Sequence, residues 1–127
     1  MERKKGKFAF NWAEELGASI TVADENGIIR CMNQKAKKTF AQEDKDLIGS
    51  SLFECHPEPA KSKLKALYSA KEPNHYSIEK SLDGGGRVKK IIHQLPWYKK
   101  GTFAGYVEIS IEIPFELPHF IRAAKKN

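Results

Sequence analysis

The chain has 127 residues, 40% hydrophobic and 30% charged, a size and composition that fit one globular domain and exclude a disordered chain. No apolar run approaches the roughly 18–20 residues that span a bilayer, and the basic start at residues 1–7 has no apolar segment of a secretory signal behind it. The expectation is a cytoplasmic protein, with no membrane partner. Two isolated cysteines, Cys31 and Cys55, suit a reducing compartment and lack the paired spacing of a zinc site.

The formal charge of +6 resides in the termini. Residues 1–7 and residues 122–127 each carry +3, so residues 8–121 sum to zero. A folded basic face that tracks phosphates is therefore not expected, and nucleic acid is not the expected partner.

Residues 8–16 read as an amphipathic helix, since Phe8, Trp12 and Leu16 recur at i, i+4 and i+8. Residues 19–24 alternate as a strand, with Ile20 and Val22 on one face. Asn26-Gly27 supplies the turn of a hairpin whose second strand is 28–32, because tight turns need positive φ. Asn33 is placed to cap a helix in which Ala36 and Phe40 share the buried side. Residues 42–48 read as a second short helical piece stopped by Gly49, and residues 50–55 as its connection onward.

The longest helix starts at Pro57 and Pro59, where a missing N–H costs little. Ala60, Leu64, Leu67 and Tyr68 form its apolar face, and residues 72–74 end it. Three strands follow. Residues 75–82 place Tyr76, Ile78 and Leu82 on one face; residues 87–96 form the next strand after the glycine turn at 83–86. In residues 102–113, Val107, Ile109, Ile111 and Ile113 face one way, and Glu108, Ser110 and Glu112 the other. Two strands before a helical insert and three after it predict an α+β fold: one five-stranded antiparallel sheet with helices on one face, plus an N-terminal helix. The domain is expected at residues 18–113, between a basic tail and helix at 1–17 and a tail at 114–127.

Residues 20–24, the Asn26-Gly27 turn, Asn33, Phe40 and the run Asp46-Leu-Ile-Gly-Ser-Ser-Leu52 together resemble a PAS domain of the S-box and PAC type found in bacterial and archaeal sensors. Lys100-Gly-Thr-Phe-Ala-Gly105 before the last strand resembles the PAC segment. Cys55-His-Pro-Glu-Pro59 and Pro96-Trp-Tyr98 are similar to elements of short stand-alone PAS proteins. The resemblance implies a sensory signal-transduction domain that binds a small molecule or partner and passes on a conformational change. It also leaves open a ligand-free, dimerising interaction module that acts in trans on a kinase or regulator. A homodimer is expected in either case.

The same resemblance implies a pocket between sheet and helices, with its cargo unknown: haem, flavin, a metabolite or none. The residues expected to face that pocket are Phe40, Phe53, Leu64, Tyr68, Ile91, His93 and Ile109. His56 and His93 are the candidates for a haem or metal ligand; no metal site is otherwise expected. Cys55 and His56 are neighbours with no third orienting residue, and Asp83-Gly84-Gly85-Gly86 lacks the Lys-Ser/Thr of a phosphate loop. No catalytic residues, and no enzyme, are expected.

Overall fold

The structure is a computed structural model that describes residues 11–40 and 46–124. Five strands build it: β1 (Ser19–Asp24), β2 (Ile29–Met32), β3 (Asn74–Ser81), β4 (Arg87–Lys99) and β5 (Thr102–Pro114). They form one antiparallel sheet in the order β2-β1-β5-β4-β3. Between β2 and β3 lie α1 (Gln34–Thr39), α2 (Leu52–Cys55) and α3 (Ala60–Ala70). The first hairpin thus enters the sheet centre against the last strand of the chain, which closes the fold from both ends.

The β1–β2 hairpin is organised by Asp24. One carboxylate oxygen accepts the N–H groups of Asn26 and Ile28 at 2.9 and 3.0 Å, and the other accepts Arg30 Nε at 2.7 Å. Gly27, at φ +78, makes the turn, and the Phe53 ring lies where its Cβ would point.

Asn33 caps α1 as expected, through Oδ1 and the Ala36 N–H. Its reach is wider. Oδ1 also accepts the Ile20 N–H, and Nδ2 donates to the carbonyls of Ala13 and Ala18, both at 2.8 Å. This fully buried side chain joins the entry segment, β1 and α1. Beside it Ile29, Met32, Ala36 and Ile48 form a buried cluster, with Phe40, Leu47 and Leu52 packed against it. Burial of side chains such as Ile29 and Met32 contributes about 1.5–3 kcal/mol each.

Several local expectations change. Within the described residues, the helix expected over 8–16 is a 3-10 turn at Asn11–Ala13; Trp12 and Leu16 are exposed, and Phe8 lies outside the described residues. Of the helical piece expected at 42–48, residues 41–45 lie outside the described residues, and residues 46–48 are not helical. The expected connection at 50–55 instead holds α2, because the Ser51 side chain accepts the Phe53 and Glu54 N–H groups. The third β-strand, expected from 75, starts at Asn74, and β4 runs on through Pro96, Trp97 and Tyr98.

Candidate functional site

The strand register decides which side chains meet the helices. Thr21 pairs with Glu108, and Glu108 with Gln94, which pairs in turn with Asn74. Side chains in register share a face, so Asn74, Gln94, Glu108 and Thr21 form one row across four strands. Tyr76, Ile92, Ser110 and Ser19 form the next row on that face. Hydrogen bonds run along the first row: Asn74 Nδ2 donates to Gln94 Oε1 at 2.8 Å, and Gln94 Nε2 donates to Glu108 Oε2 at 3.2 Å.

That polar face lines a cavity of about 530 Å³ between sheet and helices. Thr21, Ala23, Gln94, Tyr106 and Glu108 form the floor, while Leu52, His56, Leu64, Leu67 and Tyr68 form the helical wall. Ile29, Met32, Phe40 and Leu47 close one end. A volume of this order suits a small organic molecule. On the floor's face, Thr21 Oγ1 and Ser110 Oγ are buried with no hydrogen-bond partner among the described residues.

Two tyrosines fasten the wall to the floor. Tyr106 Oη, from β5, lies 2.6 Å from the Leu67 carbonyl and 2.8 Å from that of Glu72, at the C-terminal end of α3. Tyr68 Oη, from α3, donates to the Asp24 carbonyl at 3.0 Å, and its ring packs edge-on against Phe53 and Phe103. Burial, then the charge of Asp24, holds the Tyr68 phenol well above its ordinary pKa. Burial likewise raises Tyr106, and burial followed by the charge of Glu108 raises Tyr76.

Of the seven residues expected at the pocket, Phe40, Leu64 and Tyr68 line the cavity. Phe53 does not; it covers the Gly27 turn and meets Tyr68 from outside. Ile91, His93 and Ile109 lie on the opposite sheet face, because Ile91 pairs with Ile111 and His93 with Ile109. There the His93 Nδ1 sits 2.8 Å from the Nδ1 of its cross-strand neighbour His75. The sequence reading does not name Thr21, Gln94 and Glu108, which line the cavity. For Thr21 and Glu108 the signal is the polar half of the strand's alternation, opposite the apolar side chains.

His56 does line the cavity, and its Nδ1 donates to the Leu52 carbonyl at 2.7 Å. The lining does not suit haem. It carries Glu54 and Glu108 and, among the described residues, no Lys or Arg to meet propionates. Nor do the described residues bring together three or more His, Cys, Asp or Glu as a metal site. Cys55 Sγ approaches Ser50 Oγ at 3.6 Å, so Cys55 and His56 are directed to different partners. No described helix is long and apolar enough to cross a membrane.

Comparison with known proteins agrees with this geometry. The search of curated proteins gave no match. Among solved structures, the chain is similar to the PAS domain of Bordetella pertussis BvgS, at 19% identity and TM-score 0.60, covering 80% of each chain. It is similar to a sensory box sensor histidine kinase of Vibrio cholerae, at 13% identity and TM-score 0.59, covering 80% of this chain and 86% of that one. It is also similar to VqmA, a Vibrio cholerae protein, bound to DPO, at 16% identity and TM-score 0.57; 79% of this chain matches 54% of that one. The PAS fold family matches residues 13–114. With its five-stranded antiparallel sheet and the cavity beneath its helices, the chain belongs to the PAS family.

Proposed function

We propose that this PAS domain is a sensory module that binds a small molecule in the cavity and relays a conformational change through the sheet. The observation that carries this reading is the polar floor itself. A face turned toward helices is ordinarily the apolar one, and buried hydroxyls are ordinarily paired. Here Thr21, Gln94 and Glu108 line the cavity, and the buried Thr21 hydroxyl has no partner among the described residues; a polar ligand would meet this floor. The structural likeness to a sensor histidine kinase and to the DPO-bound VqmA supports the sensory class. A ligand acts as a signal only if it binds one conformation of the domain more tightly than another. The test is native mass spectrometry of freshly purified protein, with an absorption spectrum. A bound small-molecule mass supports the reading. A bare polypeptide mass, unchanged after incubation with cell extract, overturns it.

The alternative is an interaction module, homodimeric or acting in trans on a signalling protein. It is supported by the other face of the sheet, where Val22, Ile91, Leu95, Val107, Ile109 and Ile111 gather with Ile111 at 39% exposure. The same mass spectrum separates the readings, since it reports assembly as well as cargo. The lack of a nucleophile–base pair at Cys55-His56 supports a non-catalytic role, and a cytoplasmic setting is proposed with it.

A further inference from the structure

The hydrogen-bonding capacity of the cavity is lopsided. Several of its donors are already engaged. The Tyr68 hydroxyl donates to the Asp24 carbonyl, and the single Tyr106 proton lies between the carbonyls of Leu67 and Glu72. The Gln94 amide donates to Glu108. His56 spends Nδ1–H on the Leu52 carbonyl, which leaves Nε2 of the neutral ring an acceptor.

The remaining acceptors are in excess. A carboxylate offers about four lone-pair sites, and the Gln94 contact occupies one on Glu108. Glu54 also lines the cavity, but its carboxylate is largely exposed and lies 4.0 Å from Lys61 Nζ; Glu108 is the carboxylate left to a ligand, and no Lys or Arg among the described residues joins the lining. Thr21 is 9% exposed and lies in the Glu108 row, and its hydroxyl, able to accept or donate, has no partner among the described residues. Burial and then the nearby Glu108 charge raise the Tyr76 phenol, which places an aromatic ring within the field of that carboxylate. The helical wall offers the apolar side chains of Leu52, Leu64 and Leu67.

We propose that the cavity selects a small organic cation, an ammonium or amidinium head on Glu108 and Thr21 with an apolar body against Leu52 and Leu64. This rests on the small-molecule reading above and specifies its chemistry. An anionic ligand would meet the Glu108 carboxylate and no Lys or Arg among the described lining residues, whereas a cationic head satisfies the acceptors Glu108 leaves over.

The test is calorimetric titration of the full chain, refolded free of cargo, with three probes of one shape: phenethylamine, 2-phenylethanol and 3-phenylpropanoate. The expected order is the amine at least tenfold tighter than the alcohol, and the carboxylate weakest. Glu108→Gln keeps the size and an acceptor for Gln94; it is expected to bring amine and alcohol within about twofold of each other. Leu64→Trp, which fills the cavity, is expected to weaken both. Carboxylate binding as tight as the amine's and lost in Leu64→Trp overturns the cation assignment while leaving small-molecule binding standing. An amine preference that survives Glu108→Gln also overturns it. Binding of none of the three by folded protein overturns the assignment and, with a bare native mass, the small-molecule reading as well.

Discussion

Asn33 and Ile20 are tied twice: Asn33 N donates to the Ile20 carbonyl at 3.1 Å, and Asn33 Oδ1 accepts the Ile20 N–H at 3.0 Å. The same side chain donates twice more, to Ala13 and Ala18. Its four hydrogen bonds are all buried, so removing it strands two N–H groups and two carbonyls from solvent. Asn33→Ala is expected to cost about 3–4 kcal/mol, measured by urea unfolding. Asn33→Asp is expected to remain well below wild type, because a carboxylate cannot donate to the Ala13 and Ala18 carbonyls. A loss under about 1 kcal/mol for Asn33→Ala would show that the tie is dispensable.

Gly105 and Gly101 both adopt positive φ, yet they should respond differently to alanine. A Cβ on Gly105, at φ +136, would lie 2.0 Å from the Ala23 carbonyl oxygen, where β5 runs against β1. A Cβ on Gly101, at φ +81, would meet nothing within 4 Å. Gly101→Ala is expected to cost only the backbone strain of about 1–2 kcal/mol. Gly105→Ala is expected to cost roughly 3–5 kcal/mol, strain plus forced separation of two strands. Thermal unfolding of the two variants checks the difference; equal losses would contradict it.

Asp24 sets a pH dependence. Burial pushes its carboxyl upward, but the Ile28 N–H, Arg30 and the Asn26 N–H together outweigh it and hold the pKa below the ordinary value. A folded-state pKa below the unfolded one, about 3.9, means stability that is fully present above that value. It is lost as pH falls through the folded pKa. The stability gap between wild type and Asp24→Asn is therefore expected to be constant from pH 7 to about 5 and to close in the acid region below about 4. Urea unfolding across pH checks this; a gap that widens on acidification would contradict it.

The α3–β5 clasp offers a further mutational test. Tyr106→Phe removes the hydroxyl that reaches Leu67 and Glu72 and keeps the ring against Tyr68. The expected loss is about 1–2 kcal/mol, with faster amide exchange at the C-terminal end of α3. Because burial raises both the Tyr68 and Tyr106 phenols, neither is expected to ionise in the folded domain at the pH where a free phenol does. Ultraviolet titration of wild type against Tyr106→Phe reports this.

The parts of the fold that local chemistry decides were legible before any coordinates. The Asn26-Gly27 turn and the Asn33 cap depend on residues within a few positions. The α2 turn is equally local: Ser51 with Glu54 three residues on is a helix-start pattern. The reach of Asn33 to Ala13, twenty residues away, was not legible, since nothing near it in sequence marks that partner. Nor was the identity of the inward face. Alternation in β5 separates Ile109 from Glu108 but is symmetric as to which side the helices take. The rule that apolar faces turn inward favoured Ile91, His93 and Ile109. The register instead turned Gln94, Glu108 and Ser110 toward α3, and the reading of the site moved with it.

The inward orientation of the polar face as the ligand floor is tested most directly by two-dimensional amide NMR during titration with phenethylamine. The expected result is shifts concentrated at Thr21, Ala23, Gln94, Glu108 and the Leu64–Tyr68 turn of α3, the residues around the cavity. Shifts confined to Ile91, His93, Ile109 and Ile111 on the other side of the sheet would contradict it.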